Sequence, residues 1–218
     1  MMYFLFFSCL VGIISLIPFY CWSVEHIRFQ EKFGQKGIQI TKILGLITGW
    51  GFFIFLFGIW ITPQPKFIIP ILPEIMIFIP IITFTIPAFH FIISLPVILT
   101  GAWYGIVGVK YLSLKVAETH KPERVISEGI YSKIRHPQYF GAILAHIGIS
   151  LILSSLFSMI STPLIILVIY LFSWKEEKEL EREFGKEYIA YKNHTPMLLP
   201  RLRKKELKIN NNIFSVFV

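Results

Sequence analysis

The sequence predicts an all-α, polytopic membrane helix bundle of about five transmembrane helices, with its C-terminal part on the cytoplasmic side. Three observations carry this. Of 218 residues, 55% are hydrophobic and only 16% charged, with a mean hydropathy of +0.65, well beyond what a soluble domain carries. The apolar stretches are continuous and long, as spanning helices require, rather than alternating in ten-residue strands. The basic residues are gathered into three loops that can share one side of a bilayer.

The first apolar block runs over 3–22 and is read as a retained span, since it lacks a positively charged leader and is too long for a signal-peptide core. Cys9 and Cys21 lie in or beside it, about three turns apart on one helix, so no disulfide framework is expected. The second block covers 43–61. The stretch 67–112 exceeds one span, and its N-terminal part is broken by Pro70, Pro73, Pro80 and Pro87. The block 139–174 fits a tight helical hairpin, turning near 154–158 or at Thr162-Pro163.

Charge decides the count. Lysines and arginines cluster at 23–42, at 110–137 and from Lys175 onward, leaving Lys66 as the exception among 21. Sharing one side requires two crossings between 42 and 110, which gives five spans, an outside N-terminus and a cytoplasmic C-terminus. Residues 67–80 then form an external loop or re-entrant segment, and the third span covers about 86–109, with Pro96 expected to kink it. The net charge of +8 fits loops facing an anionic leaflet better than nucleic acid. The chain thus divides into N-terminal spans (1–110), a C-terminal part with the cytoplasmic loop and the hairpin (111–201) and a basic tail (202–218).

The polar chemistry is concentrated at the two ends of the last hairpin, which connectivity brings together. At its entrance Pro137 suits the first helical turn and holds His136 extended, so Arg135 and His136 sit at the N-terminal end of a span. At its exit Glu176 and Glu177 border the apolar stripe marked by Leu180 and Phe184, Gly185 ends the helix, and Tyr188 and Tyr191 share a face of the next. Ionisable groups at a span's end need partners and are functional candidates. Elsewhere the histidines lack metal-ligand spacing, so no metal is expected. His146 is expected to bond a neighbouring helix, and Gly101, Gly105 and Gly108 to form a close-packing face. No phosphate loop or nucleophile elbow is present.

The pattern GxYxxxRHPxY from Gly129 to Tyr139, followed by EExxLxxxFGxxYxxY from Glu176 to Tyr191, resembles the isoprenylcysteine carboxyl methyltransferase and phospholipid methyltransferase superfamily. The resemblance covers about 123–201. It implies S-adenosylmethionine as cofactor and methyl transfer to a lipophilic acceptor reached from the lipid bilayer, either an isoprenylcysteine carboxylate or a phospholipid amine. It further implies a cofactor pocket built from Gly129, Tyr131, His136, Pro137, Tyr139, Glu176 and Glu177, with Arg135, His136 and Glu177 as catalytic residues. The cofactor carries a sulfonium, an ammonium and a carboxylate. A glutamate suits the ammonium or ribose, Arg135 or His136 the carboxylate, and Tyr139 the adenine or sulfonium. The isoprenylcysteine branch usually has an arginine one turn before the glutamate pair; Phe172 stands there, which argues against a carboxylate acceptor. An amine acceptor would need a base, for which His136 and Glu177 are candidates. Membrane sterol-type reductases, which use NADPH, share the C-terminal topology, but they often carry Glu after the glycine that Ala142 follows here. A non-catalytic membrane scaffold is the third reading.

Overall fold

The computed structural model describes residues 3–69, 73, 75–79, 84–119 and 121–200. The basic tail and part of the proline-rich segment lie outside these residues. The elements in order are α1 (Phe4–Val24), α2 (His26–Phe33), α3 (Gln35–Ile61), β1 (Met76–Ile79), β2 (Phe84–Pro87), α4 (Ala88–Leu112), α5 (Leu114–Thr119), a 3-10 turn (Gly129–Ser132), α6 (Pro137–Ile152), α7 (Leu156–Phe184) and α8 (Lys186–His194).

The bundle is an integral membrane one. Among the described residues four helices, α1, α3, α4 and α7, are long and apolar enough to cross a bilayer. The fifth expected span, α6, has 16 residues, about 24 Å of helix, and falls short of the usual spanning length. The hairpin turn falls at 153–155, so Pro163 lies inside α7 instead of dividing two spans. α7 continues without a break to Phe184, and Gly185 closes it at φ +53°, a backbone conformation that side chains with a Cβ disfavour.

Each spanning helix buries one stripe and turns its remaining apolar surface outward. α1 buries Phe6, Cys9, Ile13, Leu16 and Tyr20. α3 buries Gly37, Thr41, Gly45, Thr48, Phe52, Leu56 and Ile59, a repeat of four and three residues. Exposed Phe4, Val11, Ile47, Trp50, Ile54 and Phe57 lie on the opposite faces, where lipid solvates them. The core of this half also includes Ile165, Val168, Ile169 and Phe172 of α7.

α4 and α6 pack backbone against backbone. A Cβ on Gly101 would lie 2.8 Å from the Gly141 carbonyl oxygen, and one on Gly141 would lie 2.6 Å from that of Gly101. Gly108 is covered by Pro137 and Gln138. Of the glycine face expected on the third span, Gly101 and Gly108 form the seam that holds α6, and with it Arg135 and His136, in place, whereas a Cβ at Gly105 would meet open space.

At the far end the segment after α3 docks on the α6–α7 turn. Lys66 Nζ donates to the Leu153 carbonyl at 2.7 Å, and Phe67 N to that of Ser154 at 3.0 Å. Beyond it β1 and β2 pair antiparallel, Met76 opposite Pro87, a short ribbon in the connection to α4. His146 accepts from Trp60 Nε1 through Nδ1 at 3.1 Å and donates through Nε2 to the Ser158 carbonyl at 3.1 Å. It ties three helices together, as expected of a polar group in a span.

Candidate functional site

The entrance and exit of the hairpin meet at the end of the bundle where α1, α4 and α7 finish and α3 and α6 begin. Pro137 opens α6, and His136 before it sits at φ −123°, ψ 66°, short of the extended conformation expected of a residue before proline. The backbone N–H groups of Arg135 and His136 donate to the carbonyls of Pro196 and Met197, so the segment before α6 is stitched to the segment after α8. Tyr191 Oη donates to the Tyr131 carbonyl at 2.6 Å, and Tyr131 Oη to the Gly108 carbonyl at 3.3 Å. The 3-10 turn is thereby anchored both to α8 and to α4. Burial pushes the Tyr131, Tyr188 and Tyr191 phenols well above their usual range, so all three stay neutral donors.

Arg135 and Glu177 form the buried centre. Arg135 donates from Nε to Glu177 Oε1 at 2.7 Å and from Nη2 to Oε2 at 3.1 Å, a forked ion pair. Its Nη1 donates to the carbonyls of Lys192 and Thr195. Glu177 also accepts from His136 Nε2 at 3.1 Å and lies 3.3 Å from Lys192 Nζ. An ionised carboxylate only accepts, so His136 Nε2 carries a hydrogen. Nδ1, 3.8 Å from Glu176 Oε2, is then the ring atom able to take a proton.

Glu176, one residue earlier on α7, points elsewhere. Its Oε2 accepts from Tyr139 Oη and Tyr20 Oη, each at 3.1 Å. It lines a cleft whose empty volume, out to its open mouth, is about 1120 Å³. Of the residues expected at the site, Tyr131, Arg135, His136, Tyr139 and Glu176 border this cleft. Glu177 lies behind them, holding Arg135 and His136. Pro137 is buried under α4, and Gly129, at φ +59°, packs against Tyr111.

Sequence reasoning missed the N-terminal contribution. Tyr20 of α1 and Thr48, Gly49, Phe52 and Phe53 of α3 form one wall of the cleft. Phe172 is stacked on Tyr20, ring centroids 3.9 Å apart and planes 12° apart. The signal was present only as polar Tyr20 and Thr48 on otherwise apolar buried stripes, a pattern that helix packing alone also produces. A second missed cluster lies beside the site: Lys175 Nζ bridges Glu25 at 2.6 Å and Glu179 at 2.8 Å, and Arg182 joins Glu179 at 2.9 Å. It fastens the end of α1 to α7.

This geometry coincides with the stretch that is similar to known proteins. The sequence model of the phospholipid methyltransferase family matches residues 89–187, from the start of α4 into α8. Protein-S-isoprenylcysteine O-methyltransferase B of Arabidopsis thaliana is 27% identical over 97 residues, 41% of this chain and 44% of that protein. The chain thus matches less than half the length of that curated relative. Neither match is to a reductase or a scaffold. The stretch that frames the cleft, inside a helical membrane bundle, is thus similar to membrane methyltransferases.

Proposed function

We propose that the protein is an integral membrane methyltransferase that takes its methyl group from S-adenosylmethionine and transfers it to a lipid or lipid-anchored acceptor. The observation that carries this reading is the Glu176 cleft, built where the two halves of the family's motif meet.

The donor set suits such a cofactor. Glu176 offers an ionised acceptor for an ammonium or for ribose hydroxyls, and the tyrosines at 131, 139, 188 and 191 offer aromatic faces and neutral hydroxyls. When bound, the sulfonium supplies an electrophilic methyl. The chain's part is to align, desolvate and handle protons. Phe52, Phe53, Ala142, Ile169 and Phe172 keep one wall apolar, which excludes water and suits an acyl or prenyl chain. Arg135 fits a positioning role, with most of its N–H groups committed inside the protein. His136 Nδ1 is placed to accept the proton that an amine acceptor must lose.

Two features support an amine over a carboxylate acceptor. Phe172 puts a ring where a carboxylate-binding arginine would stand, and Glu176 would repel a second carboxylate. The basic loops at this end of the bundle support a cytoplasmic orientation of the cleft.

Calorimetry on the detergent-solubilised chain tests the reading. S-adenosylhomocysteine is expected to bind and NADPH not; nicotinamide binding without adenosyl binding overturns it. For the orientation, a single cysteine at Leu114 is expected to react with an impermeant reagent only from the cytoplasmic side.

A further inference from the structure

We infer that Tyr20 of α1, far outside the matched stretch 89–187, is a positioning residue that aims the Glu176 carboxylate into the cleft, so that the first span completes the site. The inference rests on the methyltransferase reading of that cleft.

The two adjacent carboxylates are held in opposite ways. Glu177 faces Arg135, Lys192 and His136, and its charge is spent on them. Glu176 Oε2 is held by two phenols, Tyr20 and Tyr139, each at 3.1 Å. The neighbouring lysines and arginine are engaged elsewhere, Arg135 with Glu177, Lys175 with Glu25 and Glu179, and Lys192 with Glu177 and Glu181, while His136 Nδ1 stands 3.8 Å from Glu176 Oε2, beyond hydrogen-bond distance. Neutral donors fix a carboxylate's direction without cancelling its charge, which leaves that charge for a cationic group of a ligand. The Tyr20 and Tyr139 hydroxyls also touch each other.

Tyr20 is built to stay in place. It is 2% exposed, stacks on Phe172 at 3.9 Å, and Phe172 in turn meets Phe52 edge-on at 6.0 Å. Ser23 Oγ donates to the Tyr20 carbonyl at 2.8 Å. The hydroxyl therefore reaches Glu176 from a ring clamped between three spans, α1, α3 and α7. Removing it leaves Tyr139 alone to direct the carboxylate.

The test uses the full-length chain in detergent and S-adenosylhomocysteine as probe. Y20F keeps the stacked ring and loses only the hydroxyl. We expect affinity to fall about two- to tenfold, the range of one hydrogen bond, with an unchanged melting temperature. Y139F should behave likewise, and the double variant should depart from the product of the two single effects because both act on Glu176. Wild-type affinity in Y20F, or single effects that simply multiply, overturns the inference while leaving the methyltransferase reading intact. No binding by the wild-type chain removes both. Should Y20F not fold, F172L retains the hydroxyl but removes its clamp; weakened binding supports the role and unchanged binding overturns it.

Discussion

Arg135 and Glu177 meet in a forked ion pair, 2.7 Å from Nε to Oε1 and 3.1 Å from Nη2 to Oε2, with side chains only 8% and 4% exposed. One stands at the entrance of the last helical hairpin and the other at its exit. The pair closes the hairpin's open end, and the cleft is formed against it.

Breaking this pair should be costly whether or not a ligand is bound. Removing one partner of a buried ion pair leaves an uncompensated charge, at about 3–5 kcal/mol. E177Q and R135A are each expected to lower the melting temperature in detergent by about 6–20 °C. R135K should not restore it, since an ammonium cannot make the fork and also serve the Lys192 and Thr195 carbonyls.

Glu176 should behave in the opposite way. Its partners are two phenols, which a glutamine oxygen also satisfies, so E176Q is expected to melt near the wild-type temperature. The lost charge should weaken S-adenosylhomocysteine binding by about tenfold or more, as for a hydrogen bond to a charged group. Calorimetry beside a melting curve separates the adjacent glutamates.

The α4–α6 seam gives a steric prediction. A side chain at Gly101 or Gly141 would meet the other helix's backbone within 3 Å, so G101L and G141L are expected to prevent a folded monodisperse preparation. A Cβ at Gly105 meets no neighbouring atom within 4 Å, and G105A should elute like the wild type in size-exclusion chromatography.

The Glu25–Lys175 link gives a pH dependence. Burial alone would raise the Glu25 carboxyl, but Lys175 and Arg28 outweigh it and hold the carboxyl below its ordinary value of 4.5. A depressed folded pKa contributes stability that is fully present above that value and is lost as pH falls through the folded one. The melting temperature should therefore fall on acidification below about pH 4.5, and E25Q should show a lower plateau and a shallower acid limb.

The sequence alone settled the features that act locally or through composition. Long apolar blocks fixed the helices, Gly185 the end of α7, Pro137 the start of α6, and the RHPxY and double-glutamate patterns the residues that converge. These were legible because hydrophobic length, backbone stereochemistry and short chain connections require no knowledge of distant neighbours. Tertiary structure decided which of two adjacent glutamates faces the cleft, because a 100° step on α7 separates Glu176 from Glu177 and only the positions of α1, α6 and α8 say where each lands. It also decided that Tyr20, Thr48 and Phe52 belong to the site. On a spanning helix lipid-facing and bundle-facing surfaces are equally apolar, so hydropathy cannot tell which face turns inward; only helix packing places the Tyr20 hydroxyl against a carboxylate 156 positions further along the chain.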